Sequence, residues 1–468
     1  MFIQQLYTSC LSESAYYIES NGEAAIIDPL RDIKEYTHLA KSRNAVIKYI
    51  FETHFHADFI SGHLDLSKVT GAPIVFGPNT KTNYPIHLAK DGEVFQLGAI
   101  TLEVLHTPGH TIESTCYLLK DDQGEPQAIF TGDTLFVGDV GRPDLSSGNL
   151  AKEELAGLLF DSLQQKIVTL PDQVVVYPAH GPGSSCGKQL GPETYSTIGT
   201  QRQQNYALQA TDKASFIKAV TEGLDEPPAY FSLNARINKE GYGTMEDVMR
   251  KGMRPITAPQ LRANLEKEQL VLLDTRPAIE FVDGFVPGSV SIGLEGRYAE
   301  WAGSLLSFDT PVVLITSDGK AEESLVRLAR VGFENIIGYL SGGYAAWEQE
   351  GFPTDMIISV DADELAMDLP HDPNLVVVDV RKPAEFADGH VAGAINLNLS
   401  DLNDPATMAN LEEQHNLYLH CAGGYRSVIA ASLFKRQGIH NLRNVNGGWK
   451  SISALGSVPV EKETSMLN

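Results

Sequence analysis

The strongest constraint on this chain is that its C-terminal part repeats itself. Leu272-Leu273-Asp274-Thr275-Arg276 returns as Val377-Val378-Asp379-Val380-Arg381, an offset of 105 residues. The same offset pairs Glu280 with Glu385, Phe281 with Phe386, Gly284 with Gly389 and Gly342-Gly343 with Gly447-Gly448. Self-similarity of this kind means two copies of one folding unit, which places domains at 255–355 and 356–460. Each copy carries short apolar runs of strand type, at 270–274 and 312–316 and again at 376–380 and 417–420. Helical stretches such as 322–331 and 428–437 follow them. Strand-then-helix alternation predicts α/β domains around parallel sheets.

Residues 1–245 read differently. Strands are expected at 24–28, 47–53, 74–76, 102–106, 115–119, 128–131 and 174–177, with polar residues just after several of their ends. Open and layered α/β folds place their sites there. In His54-Phe55-His56-Ala57-Asp58, alternation along an extended chain predicts both imidazoles on one side, with Asp58 continuing the pattern. Pro108-Gly109-His110, Gly132-Asp133 and Pro178-Ala179-His180 each add one imidazole or carboxylate behind a turn. Together these groups predict a metal site. Residues 225–254, with Pro227-Pro228 and Gly241-Tyr242-Gly243, are expected to form a linker or an extended packing arm.

Composition excludes some classes. A formal charge of -24 argues against nucleic acid or an anionic membrane as partner, because phosphates are repelled. The four cysteines, Cys10, Cys116, Cys186 and Cys421, form no CxxC pair, so neither a disulfide framework nor a cysteine zinc site is expected. No run approaches the roughly 20 apolar residues that span a bilayer. Met1 to Leu6 lacks the basic and long apolar regions of a signal peptide. A cytoplasmic protein is the expectation.

The ordered set His-x-His-x-Asp, Pro-Gly-His, Gly-Asp and Pro-Ala-His resembles the metallo-β-lactamase superfamily over about residues 1–240. The resemblance implies an αββα sandwich with metal at the edge of its sheets. The superfamily includes dinuclear zinc thiolester hydrolases of the glyoxalase II kind and mononuclear iron persulfide dioxygenases. The hydrolase pattern has histidine directly after the aspartate, and here that position is Phe59. A phenyl ring cannot coordinate, which favours one metal. Two histidines and a carboxylate on one ion is the facial arrangement of non-haem Fe(II). The dioxygenase pattern then implies His54, His110 and Asp133 as ligands of one Fe(II) per chain. It leaves His56 as a supporting group and Asp58 and His180 to manage water or protons. Gly138 to Asp144 resembles a segment of the dioxygenases in which Arg142 contacts an anionic substrate; a surface salt bridge is the other reading. Cys186 either holds a persulfide or is a buried, inert thiol.

In the last domain the strand ending at His420 runs into Cys421-Ala422-Gly423-Gly424-Tyr425-Arg426-Ser427 and then a helix. Backbone N–H groups, a helix N-terminus and Arg426 all favour a thiolate or persulfide anion there. The loop, with Asp379-x-Arg381 and Gly447-Gly448-Trp449, resembles the rhodanese family. The resemblance implies Cys421 as sulfur-carrying nucleophile and Gly423, Gly424, Tyr425 and Arg426 as its cradle. The copy at 255–355 has no cysteine in any register and is expected to be inactive. The order of domains looks like the persulfide dioxygenase–rhodanese fusion proteins of bacterial sulfide detoxification. That likeness implies a low-molecular-weight thiol persulfide, O2 and sulfite as small-molecule partners, and a dimer or tetramer. A zinc thiolester hydrolase with an appended sulfurtransferase or persulfide carrier is the alternative.

Overall fold

The computed structural model describes residues 1–145, 150–409, 411 and 414–463. The chain forms two compact units, Met1–Glu246 with Ala329–Gly332, and Asp247–Leu328 with Phe333–Asn468.

In the first unit alternation along the strands builds a sandwich. The first sheet runs Phe2–Thr8, Glu13–Ser20, Glu23–Ile27, Val46–Glu52, Ile74–Phe76, His87–Leu88. The second runs Ser196–Thr197, Val175–Pro178, Pro126–Gly132, Thr115–Lys120, Ile100–His106, Val94–Leu97. Tyr117 and Leu119 point into the core between the sheets with Tyr16, Phe51 and Phe130. Their strand neighbours Cys116 and Leu118 face the other way, onto Ala156, Leu159 and Phe216. Those last residues lie on helices Lys152–Ser162 and Lys213–Thr221. Helices Lys34–Ser42 and His63–Thr70 cover the first sheet through Tyr36, Ala40 and Leu66. The layers are therefore helix, sheet, sheet, helix.

The stretch expected to be a linker is instead mostly helical. Phe231–Glu240 and Met245–Gly252 are helices, the first following Pro227-Pro228 and ending at Gly241 with φ +97°. Proline before a helix and glycine after it are start and stop signals, here mistaken for linker composition.

The second unit holds two five-stranded parallel sheets of the same order. One runs Pro255–Ile256, Ile336–Leu340, Val312–Ile315, Val271–Asp274, Val290–Ser291. The other runs Ile358–Val360, Leu442–Val445, Asn416–His420, Leu375–Asp379, Ile395–Asn396. The repeated residues repeat their contacts. Arg276 forks onto Asp274 and the Gly284 carbonyl and stacks over Tyr344; Arg381 does the same with Asp379, Gly389 and Trp449. A Cβ on Gly343 would stand 2.9 Å from the Thr316 carbonyl, and one on Gly448 would stand 2.3 Å from that of Cys421. This equivalence sets the register that the sequence left open: Thr316 occupies the place of Cys421. Among the described residues no helix is long and apolar enough to cross a membrane.

Candidate metal centre and sulfur-transfer loop

Strand Val46–Glu52 ends one residue before Thr53, and the chain then bends rather than continuing extended. The two imidazoles nonetheless lie side by side, with ring centroids 4.3 Å apart. His54 Nε2 lies 3.8 Å from Asp133 Oδ2, with His110 Nε2 3.4 Å from the same oxygen. His56 sets its Nε2 3.0 Å from Asp28 Oδ1 and 3.6 Å from Glu52 Oε2, and it also offers a donor atom within 4.8 Å of donors on Asp58 and His180. Its ring stacks on Phe59 with centroids 4.3 Å apart. Burial pushes the His56 imidazole down, but the Asp28 charge beside it outweighs this and carries it up to about 10.

The other imidazoles are the opposite case. Burial pushes His54 and His180 below the ordinary histidine range and takes His110 down to about 4, which favours the neutral ring in each. Their partners fix the tautomer. His110 Nδ1 donates to the Arg142 carbonyl at 2.8 Å, and His180 Nδ1 donates to the Ser12 carbonyl at 3.2 Å. Thr53 gives its hydroxyl proton to Asp28 Oδ2 at 2.8 Å, so it accepts from His54 Nδ1 at 2.9 Å. Each Nε2 therefore carries its lone pair toward Asp133.

Lone pairs facing a buried carboxylate repel it unless a cation stands between them. Both Asp133 oxygens and His180 Nε2 are buried without a hydrogen-bond partner. The donors of His54, His110 and Asp133 lie within 4.8 Å of one another, so these residues fit a bound metal. Burial raises Asp133 and Asp58 to about 6 each. Asp58 Oδ2 lies 3.5 Å from His180 Nε2, whose other neighbour is Asp133 Oδ1 at 3.5 Å.

The two expected substrate contacts, Arg142 and Cys186, have different surroundings. The Arg142 guanidinium forks onto Asp144 at 2.7 Å twice and donates to the Asp225 carbonyl at 2.5 Å, so its charge is committed within the fold. Its backbone supports the metal site, because its carbonyl holds His110 and its N–H donates to the Cys186 carbonyl at 3.0 Å. Cys186 is buried, with its thiol in one cluster with Asp133 and His180. Burial raises that thiol well above the ordinary cysteine range.

Three supporting residues escaped the sequence reading. Asp28, at φ +51°, turns its carboxylate back onto the Thr53 N–H and hydroxyl. Glu52 ends the apolar strand and binds His63 Nδ1 at 3.1 Å and the Ser61 hydroxyl. Asn238 donates to the His56 and Phe59 carbonyls at 2.8 Å each. The visible signal was a lone acid at the end of an apolar strand, present at Asp28 and Glu52 alike.

In the second unit the Gly424 N–H donates to Cys421 Sγ at 3.1 Å, and Ser427 Oγ lies 3.7 Å from it. Gly424 takes φ +109°, which a side chain disfavours, while Gly423 sits at the exposed rim. Arg426 is paired with Glu385, which accepts from both its terminal nitrogens at 2.7 and 2.8 Å. The Tyr425 side chain leaves the cradle and donates its hydroxyl to the Gly293 carbonyl of the first repeat at 2.8 Å.

The fold and site define a metal-binding αββα domain joined to a pair of rhodanese-type α/β domains. Residues 8–180 match the family described as "Metallo-beta-lactamase superfamily", and 257–350 and 361–455 match "Rhodanese-like domain". The chain belongs to the metallo-beta-lactamase superfamily and carries two rhodanese-like domains. A solved metallo-beta-lactamase from Staphylococcus aureus is 32% identical, covering 73% of this chain and 98% of its own, with a TM-score of 0.65. The human "Persulfide dioxygenase ETHE1, mitochondrial" is 33% identical over 34% of this chain and 59% of its own. A probable hydroxyacylglutathione hydrolase of Schizosaccharomyces pombe is 32% identical over 35% of this chain and 60% of its own. A "Beta-lactamase hydrolase-like protein" of Xylella fastidiosa is matched over 52% of its length, so the chain spans only about half to three fifths of these curated relatives.

Proposed function

We propose that the first unit is an iron-dependent dioxygenase of low-molecular-weight thiol persulfides and that Cys421 is a sulfurtransferase nucleophile. The observation that supports the first half is that donors of His54, His110 and Asp133 lie within 4.8 Å of one another, while Phe59, stacked on the His56 ring where the hydrolase pattern has histidine, offers none. Two imidazoles and a carboxylate leave room for substrate and oxygen on one ion. Bound there, Fe(II) supplies the redox chemistry that O2 needs.

The chain's own residues position and protonate. The buried walls around Asp133 exclude bulk water, and the Asp28–Thr53–His54 chain holds a ligand's orientation. His180 and Asp58, 3.5 Å apart, hold a proton or a water at the edge of the set. The overall change is RSSH + O2 + H2O giving RSH and H2SO3, which ionises to sulfite. At the second site the Cys421 thiolate accepts the outer sulfur of a persulfide, releasing the thiol. Sulfite attacks that sulfur, the S–S bond to Cys421 breaks, and thiosulfate leaves with the thiolate restored. Covalent fusion raises the effective concentration of sulfite at Cys421. The first repeat, with Thr316 at the cysteine position, is a supporting domain.

The test is anaerobic purification, metal analysis and an oxygen electrode. One iron per chain and oxygen uptake on adding a thiol persulfide are expected. Two zinc ions per chain, thiolester hydrolysis and no oxygen uptake would establish the hydrolase reading instead.

A further inference from the structure

The two repeats of the second unit differ at one buried place beside the nucleophile. The 105-residue offset sets Ile315 against His420, each closing its strand one residue before Thr316 or Cys421. Around them the framework is shared. The Thr275 N–H donates to the Ile315 carbonyl at 2.8 Å, and the Val380 N–H donates to that of His420 at 3.0 Å. Both side chains are fully buried. The fold thus closes around isoleucine as well as histidine, and a buried imidazole costs free energy unless its polar atoms are met. Of the two copies, the imidazole stands in the one that carries the cysteine.

The ring turns back toward its own loop. His420 Nδ1 lies 3.3 Å from the Cys421 carbonyl oxygen, and because a carbonyl only accepts, Nδ1 carries the proton. The same oxygen accepts from the Trp449 N–H at 2.6 Å. Its two lone pairs are therefore both engaged, which stops the peptide plane after Cys421 from turning. The imidazole stacks toward the Trp449 indole with centroids 6.2 Å apart. Nε2 is buried without a hydrogen-bond partner and faces Asp379 Oδ2 at 3.7 Å, a carboxylate already forked by Arg381. On the far side of the same residue, Cys421 Sγ accepts the Gly424 N–H at 3.1 Å.

We propose that His420 is a positioning residue for Cys421, holding its carbonyl through Nδ1 so that Sγ stays on the Gly424 N–H. The proposal rests on the reading of Cys421 as the sulfurtransferase nucleophile and adds a residue to that site. His420 touches neither the sulfur nor the substrate and exchanges no proton during transfer. It acts by keeping the attacking atom in line, where a displacement of about 1 Å can cost 100-fold in rate.

The test uses the full chain with three substitutions. Asparagine carries its amide nitrogen at the place of Nδ1, glutamine carries it at the place of Nε2, and isoleucine copies the first repeat. His420→Ile and His420→Gln should lower kcat for thiosulfate formation about tenfold or more, with KM for sulfite unchanged, while His420→Asn keeps most of the rate. Alkylation of Cys421, read on its own peptide by mass spectrometry, should slow in the same order. Urea midpoints show which variants fold; if His420→Ile does not, the Asn and Gln variants carry the comparison. Equal rates in those two, a change in KM alone, or wild-type alkylation in His420→Gln would overturn the proposal. A wild-type chain that forms no thiosulfate would instead remove the sulfurtransferase reading, and the order of alkylation rates would still decide for or against His420.

Discussion

Thr53 Oγ1 stands between Asp28 Oδ2 at 2.8 Å and His54 Nδ1 at 2.9 Å, so one hydroxyl decides which nitrogen of His54 carries the proton. Thr53→Val keeps the shape and removes that link. Loss of such an outer contact typically weakens metal binding by about 10–100-fold, which competition with a chelator would measure. Unchanged affinity would mean that packing alone orients His54. Glu385 offers a residue-scale test by pH. The Arg426 hydrogen bond holds its carboxyl below the ordinary glutamate range, so its contribution to stability is complete above that range. It is lost as the pH falls through the depressed folded-state value. Denaturation curves of wild type and Glu385→Gln should differ at neutral pH and converge in acid; a gap that persists in acid would refute the linkage. The metal run was legible at this scale as a set of residue types, while its division of labour was implied only by the family resemblance. Spacing cannot reveal that the chain bends after Glu52, where His56 Nε2 meets Asp28.

Two elements joined by the 105-residue repeat show why Gly-Gly recurs. Gly447 and Gly448 take φ +69° and +56°, bringing helix Gly448–Ala454 against the Cys421 carbonyl, which accepts from the Trp449 N–H at 2.6 Å. A second element reaches the loop from the first repeat, where Gly296 lies under the Tyr425 ring. A Cβ on Gly296 would stand 2.4 Å from that ring, while Arg327 holds the Leu294 and Gly296 carbonyls at 2.6 and 3.2 Å. Gly296→Ala should therefore cost about 1–3 kcal/mol by overpacking and displace Tyr425. Tyr425→Phe should cost only about 1 kcal/mol, the worth of one neutral hydrogen bond. Urea midpoints give the stabilities, and the rate of Cys421 alkylation reports whether the loop moved. Equal alkylation rates in wild type and Gly296→Ala would detach the first repeat from the nucleophile. The repeat itself was fully legible, since both glycines and Asp-x-Arg recur in sequence. The helix Phe231–Glu240 was not, because Asn238 acts through contacts with His56 and Phe59 that lie about 180 residues away.

For the whole molecule the two sites draw on separate units, and this makes their chemistries separable. Metal should stabilise the first unit by mass action, about 2.7 kcal/mol when its concentration is 100-fold above Kd. Chelation should then speed hydrogen exchange around residues 53–59 and 131–134 and leave 419–427 unchanged. The same separation governs turnover. His110 donates its Nδ1 proton to the Arg142 carbonyl and turns Nε2 toward Asp133, while the Gly424 N–H donates to Cys421 Sγ and the Trp449 N–H to its carbonyl. His110→Ala should abolish oxygen uptake from a thiol persulfide yet still form thiosulfate when sulfite is supplied. Cys421→Ser should keep oxygen uptake, release its sulfur as sulfite and lose thiosulfate. Oxygen-electrode traces with sulfite and thiosulfate analysis read both variants. If either substitution removed both products together, oxidation and transfer would have to share one site, and the division drawn from the structure would fall.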